Sequence, residues 1–180
     1  MNLLLGFAPF LAFALLSHLV GSLPGLLAAA LVSLLLNLRE VLRGRAPKLL
    51  EMGTLLLFGG LSIYTLVAEP SWSIMGVRLV VDTGLLLIVL GSLLIGKPFT
   101  IQYARENVPP DLWGTPAFLA TNRTITGVWA VVFILLIVAD LLLIYAPQVP
   151  HRVGIFLTIA ALVGGVKVTQ RIADSARGEA

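Results

Sequence analysis

The chain has 180 residues, of which 58% are hydrophobic and 12% charged, against roughly 45–50% and about 25% in soluble domains. A water-soluble fold of this size has too little interior to hide so much apolar surface, and the mean hydropathy of +1.01 agrees. The chain therefore belongs in a bilayer, which excludes secreted scaffolds, nucleic-acid modules and soluble enzymes. The absence of cysteine further excludes disulfides, thiolate metal sites, iron–sulfur clusters and thiol catalysis.

A spanning helix needs about 20 mostly apolar residues, because the rise is about 1.5 Å per residue and the hydrocarbon is about 30 Å thick. Six stretches qualify, and the expected architecture is an all-α, polytopic transmembrane helical bundle forming a single domain over residues 1–180. The first stretch runs from about Leu3 to Val20 and the second from about Pro24 to Leu38, with Gly21, Pro24 and Gly25 marking a tight turn. No Lys or Arg precedes the first, so it reads as a retained span and not a cleaved signal. The third runs from about Leu49 to Ala68 and the fourth from about Ile74 to Ile95. After a polar connection come the fifth, about Ile125 to Tyr145, and the sixth, about Val153 to Val168.

Lys and Arg are enriched on the cytoplasmic side of membrane proteins. With six spans, Arg39, Arg43, Arg45, Lys48, Lys97, Arg105, Arg123, Lys167, Arg171 and Arg177 share one face, and only Arg78 and Arg152 lie on the other. That bias predicts both termini in the cytoplasm of a multi-pass inner-membrane protein, and the net charge of +3 is an orientation signal, not a mark of nucleic-acid binding.

In the connection from Lys97 to Arg123, Phe99, Ile101, Tyr103, Val108, Leu112 and Trp113 alternate with Lys97, Arg105, Glu106 and Asp111. This predicts an interfacial cytoplasmic segment, aromatics at headgroup level and charges in water. Pro109 and Pro110 divide it into a short helix, a turn and a second short helix leading to the fifth span. A binding loop for a cytoplasmic partner is the alternative.

Several motifs occur in a telling order: Phe7-Ala8-Pro9-Phe10, Phe58-Gly59-Gly60-Leu61-Ser62, Gly96-Lys97-Pro98-Phe99, Val108-Pro109-Pro110-Asp111-Leu112-Trp113, Trp129-Ala130-Val131-Val132-Phe133 and Leu141-Leu142-Leu143-Ile144-Tyr145. In that order and spacing the chain resembles the intracellular septation protein A family, small bacterial inner-membrane proteins. The resemblance covers nearly the whole chain and is firmest from Phe58 to Tyr145. It implies a role in cell-envelope synthesis or septation through contacts with other membrane proteins of the division or elongation machinery, without an established chemical activity, and a non-enzymatic protein is expected. The family is usually drawn with one span fewer, so five spans are the alternative count. Asp82 and Asp140 stand where the family is expected to be neutral.

A charge at the bilayer centre costs at least about 2.5–3.5 kcal/mol, so intramembrane ionisable residues are candidates for function. Here they are His18, Arg78, Asp82 and Asp140, all in the outer half of the bilayer in the six-span topology. Arg78 and Asp82 are four apart and share a helix face. Asp140 needs a proton or a partner such as His18 or Arg78. A satisfied buried network, a proton or ion path and a polar substrate pocket are all open readings, which makes a small transporter or channel the rival function. Haem ligation by His18 would require His151, which lies in an outer loop, so neither cofactor nor metal is expected.

On the inner side, Asn37, Arg39, Glu40, Lys48 and Glu51 cluster around the second loop, and the three-residue spacings Glu40–Arg43 and Lys48–Glu51 read as solvated helix ends. Gly59 and Gly60, Gly84 and Gly91, and Gly164 and Gly165 are expected to let helices approach closely, or to offer a face for a homo-oligomer.

Overall fold

The computed structural model describes residues 3–146 and 148–178, apart from the side chains of Leu3, Leu4, His151 and Arg177. The elements are α1 (Leu3–Gly6), α2 (Ala8–Leu19), α3 (Ser22–Leu42), α4 (Leu49–Ala68), α5 (Ile74–Leu94), α6 (Thr100–Ala104), a 3-10 turn (Pro110–Leu112), α7 (Pro116–Tyr145) and α8 (His151–Arg177). Among the described residues there is no strand.

Five helices, α3, α4, α5, α7 and most of α8, are long and apolar enough to cross a membrane. Their outward side chains are the mark of a lipid-facing surface: Leu56 is 74% exposed, Val67 81% and Leu94 88%. The first expected stretch is instead divided at Phe7 into α1 and α2. With 12 residues, α2 reaches only about 18 Å at 1.5 Å per residue.

Chain breaks have local causes. Gly21 adopts φ 112° between α2 and α3, and Gly96 adopts φ 71° after α5, a conformation that costs glycine no Cβ clash. Thr115 caps α7, its hydroxyl accepting from the Phe118 amide at 3.3 Å with Pro116 just inside the helix. As a result α7 is one continuous helix of 30 residues. The second short helix expected before the fifth span is its first turns.

The chain divides into two compact units, residues 1–85 and 86–180. In the first, α2 folds back along α3, and Gly25 is pressed so closely on Ser17 that a Cβ there would meet the Ser17 backbone nitrogen at 2.8 Å. Phe58 of α4 is fully buried beside Phe10 and Phe13, ring centroids 5.1 and 5.7 Å away. Leu57 lies over Gly84. In the second unit α8 packs along α7, with Leu143 against Gly154 and Val132 against Gly165. The expectation for glycines thus holds at Gly84 and Gly165. Gly59, Gly60, Gly91 and Gly164 have open space where a Cβ would stand.

Candidate functional site

The densest buried polar group lies in the first unit, along the α3–α4 hairpin. On α3 the buried positions are Gly25, Leu26, Ala29, Ser33, Asn37 and Glu40; on α4 they are Leu50, Glu51, Thr54, Phe58 and Ser62. Each set follows the helical period, so the buried face of each apolar helix carries small and polar side chains among its large apolar ones. Ser33 Oγ donates to Thr54 Oγ1 at 3.3 Å, and Thr54 Oγ1 donates to the Glu51 carbonyl at 3.0 Å. Asn37 Nδ2 donates to the carbonyls of Ser33 and Glu51, both at 2.8 Å. At the end of this seam Lys48 Nζ stands 3.6 Å from Glu51 Oε1, and Lys48, Glu51 and Glu40 are all buried.

This corrects the reading of Asn37, Glu40, Lys48 and Glu51 as solvated helix ends. The Lys48–Glu51 pairing is present, but it is an interior one. The hairpin brings the polar faces of α3 and α4 together, and the Ser33, Asn37 and Thr54 side chains find partners within it where water would otherwise be needed. Arg39 and Arg43 do stay exposed, Arg39 on the opposite face of α3 and Arg43 at its C-terminal cap.

A second polar group holds α6 in the second unit. Thr100 Oγ1 is 2.9 Å from both the Asn122 carbonyl and Thr126 Oγ1, and all three residues are buried. Ser92 Oγ accepts from the Phe99 amide at 3.2 Å. These bonds tuck α6 against α7, with the consequence that Phe99, Ile101 and Tyr103 are buried in protein and not inserted at headgroup level. The remaining interfacial residues fit the expectation better: Lys97 and Arg105 are exposed and Trp113 is half-buried.

The intramembrane residues singled out from sequence fall differently. His18 is exposed near the end of α2, so it does not join an interior cluster. On α5 Arg78 is half-buried and Asp82 buried. Asp140 of α7 is fully buried, at 0% exposure. Carboxylates at such positions in apolar helices are costly to keep without a compensating contact or a proton. The side chain of His151, weighed as a haem partner, lies outside the described residues. Among the described residues no three His, Asp or Glu side chains converge as a metal ion would need.

No protein-family model matches the chain, and no curated protein or solved structure matches it either. What stands is a polytopic membrane helical protein with two buried polar groups that join helices within each unit.

Proposed function

We propose that the protein is a non-enzymatic component of the bacterial inner membrane, similar to septation protein A. In this reading it acts in envelope synthesis or division through contacts with other membrane proteins of that machinery. Six spans, or five if α2 stays short of crossing, would carry its basic loops into the cytoplasm. The observation that carries the reading is the role of the motif residues. Phe58, Trp129 and Phe133 are core side chains, at 0%, 2% and 2% exposure. Ser62 Oγ bonds back to the Phe58 carbonyl at 2.7 Å, and Gly96 makes the left-handed turn after α5. Residues that hold packing and turns, and not a row of reactive groups, suit a protein that works by presenting a shape. Crosslinking in intact membranes followed by capture in mild detergent tests it: division or wall-synthesis proteins are expected among the crosslinked partners. Recovery of none of them, with the protein at its native level, would sink the reading.

The second reading is a small transporter or channel, favoured by the burial of Asp82 and Asp140 in apolar helices. Its test is proton or alkali-cation flux in proteoliposomes. A flux abolished by Asp140→Asn would favour it over the first.

A further inference from the structure

The connection between α5 and α7 contains one cation in an unusual setting. The guanidinium carbon of Arg105 lies 5.0 Å from the ring centroid of Trp113. Trp113 is itself fixed, because its indole Nε1–H donates to the Val108 carbonyl at 2.8 Å. The Arg105 backbone is fixed too, its amide donating to the Ile101 carbonyl at 3.0 Å at the end of α6. A guanidinium that stacks on a ring uses its flat face for the contact, and its N–H donors point outward in the plane. Arg105 is exposed, and among the described residues no carboxylate pairs with it. The result is an exposed guanidinium fork held over the indole, with N–H donors left for a ligand.

Depth indicates what such a fork would meet. Both α5 and α7 are candidate spans, and the connection joins their ends. With 30 residues, α7 is about 45 Å long, more than the roughly 30 Å of hydrocarbon. Its first turns, which follow Trp113 directly, thus have length to spare for the headgroup layer. Leu112, next to Trp113 in the chain, and Leu119, in the first turns of α7, are each 44% exposed, so the segment that carries the fork also presents apolar side chains. A soluble anion would gain nothing from those leucines, whereas a phospholipid brings a phosphate and acyl chains together.

We propose that Arg105, held on the face of Trp113, binds the phosphate of an anionic phospholipid headgroup. Bidentate contact of the fork with two phosphate oxygens gives the site its geometry. Asp111, exposed in the 3-10 turn two residues before Trp113, carries the same sign of charge as the phosphate and is expected to weaken the site. This proposal does not depend on the protein's partners or on whether anything is transported.

The test is titration of the whole protein, in neutral detergent, with short-chain phosphatidylglycerol against short-chain phosphatidylcholine, read by thermophoresis. The wild type is expected to prefer phosphatidylglycerol. Arg105→Gln should weaken that binding about fivefold, the scale of one basic residue at a lipid surface. Arg105→Lys should weaken it nearly as much, since the charge remains but the planar fork is lost. Asp111→Asn should strengthen it. Both positions are exposed, so folding is not at stake. Three outcomes overturn the proposal: Arg105→Gln without effect, Arg105→Lys equal to wild type, or inorganic phosphate binding as tightly as the lipid.

Discussion

Asn37 donates one side-chain N–H to the Glu51 carbonyl at 2.8 Å and the other to the Ser33 carbonyl at the same distance. One amide thus serves its own helix and its neighbour at once. A main-chain carbonyl on a helix keeps a second lone pair after its helical bond, and Asn37 uses it on both helices. In a bilayer there is no hydrophobic force between helices that lipid does not match, so such bonds and close packing carry the association.

Asn37→Leu should therefore loosen the hairpin while keeping both helices. Interhelical hydrogen bonds of this kind are worth about 0.6 kcal/mol on average and at most about 2 kcal/mol. A small drop in melting temperature in detergent is expected, with helix content by circular dichroism unchanged. An unchanged melting temperature would mean that the bond to Glu51 contributes nothing to the hairpin.

The Lys48–Glu51 pair makes a stronger demand. Removing one partner of a buried pair leaves an uncompensated charge and costs about 3–5 kcal/mol. Lys48→Met alone is expected to destabilise by that order, and Lys48→Met with Glu51→Gln by much less. The double-mutant cycle in a thermal assay measures the difference. Additive effects would show that the two residues are independent.

The spans were legible in the sequence because hydropathy over 20 residues is a property of the chain itself. The seam was not, because charges near the end of a span ordinarily lie in water. The signal was nevertheless there: Ser33, Asn37 and Glu40 continue the face begun by Gly25 and Ala29, and Glu51, Thr54 and Ser62 do the same on α4. The burial of Phe99 and Tyr103 was not legible at all. An amphipathic run such as 97–113 states that its apolar side needs cover, and not whether lipid or α7 supplies it. The start of α7 could have been read from Thr115 and Pro116, a capping residue followed by proline at the first turn.

Glycines separate packing from mere smallness. Gly25→Ala would drive a methyl into the Ser17 backbone, at 2.8 Å from its nitrogen. Backbone cannot swing aside as a side chain can, so a cost of about 1–3 kcal/mol is expected. Gly59→Ala meets nothing within 4 Å and should be neutral or stabilising by up to about 1 kcal/mol through helix propensity. Melting of the two variants side by side checks this. If instead Gly59→Ala lowers the oligomeric mass seen in detergent, a second copy of the chain occupies that open face.

The last prediction concerns how the helices cross. The chain has no cysteine, so each introduced thiol reports alone. Arg43, Ser71 and Asn107 are exposed and lie in or beside the connections after α3, α4 and α6. From α3 onward five and six spans give the same sides, and the Lys and Arg distribution predicts Arg43 and Asn107 in the cytoplasm and Ser71 opposite. Arg43→Cys and Asn107→Cys should resist an impermeant maleimide on whole cells, and Ser71→Cys should react. Reaction of Arg43→Cys from outside would reverse the orientation. The N-terminus alone distinguishes the two counts. The 12 residues of α2 cover about 18 Å, so crossing requires α1 to extend it or the bilayer to thin locally, at a modest cost per ångström of mismatch. An N-terminal reporter on the side of Arg43 means that α1 and α2 together cross; one on the side of Ser71 means that α2 enters as a partial hairpin against α3.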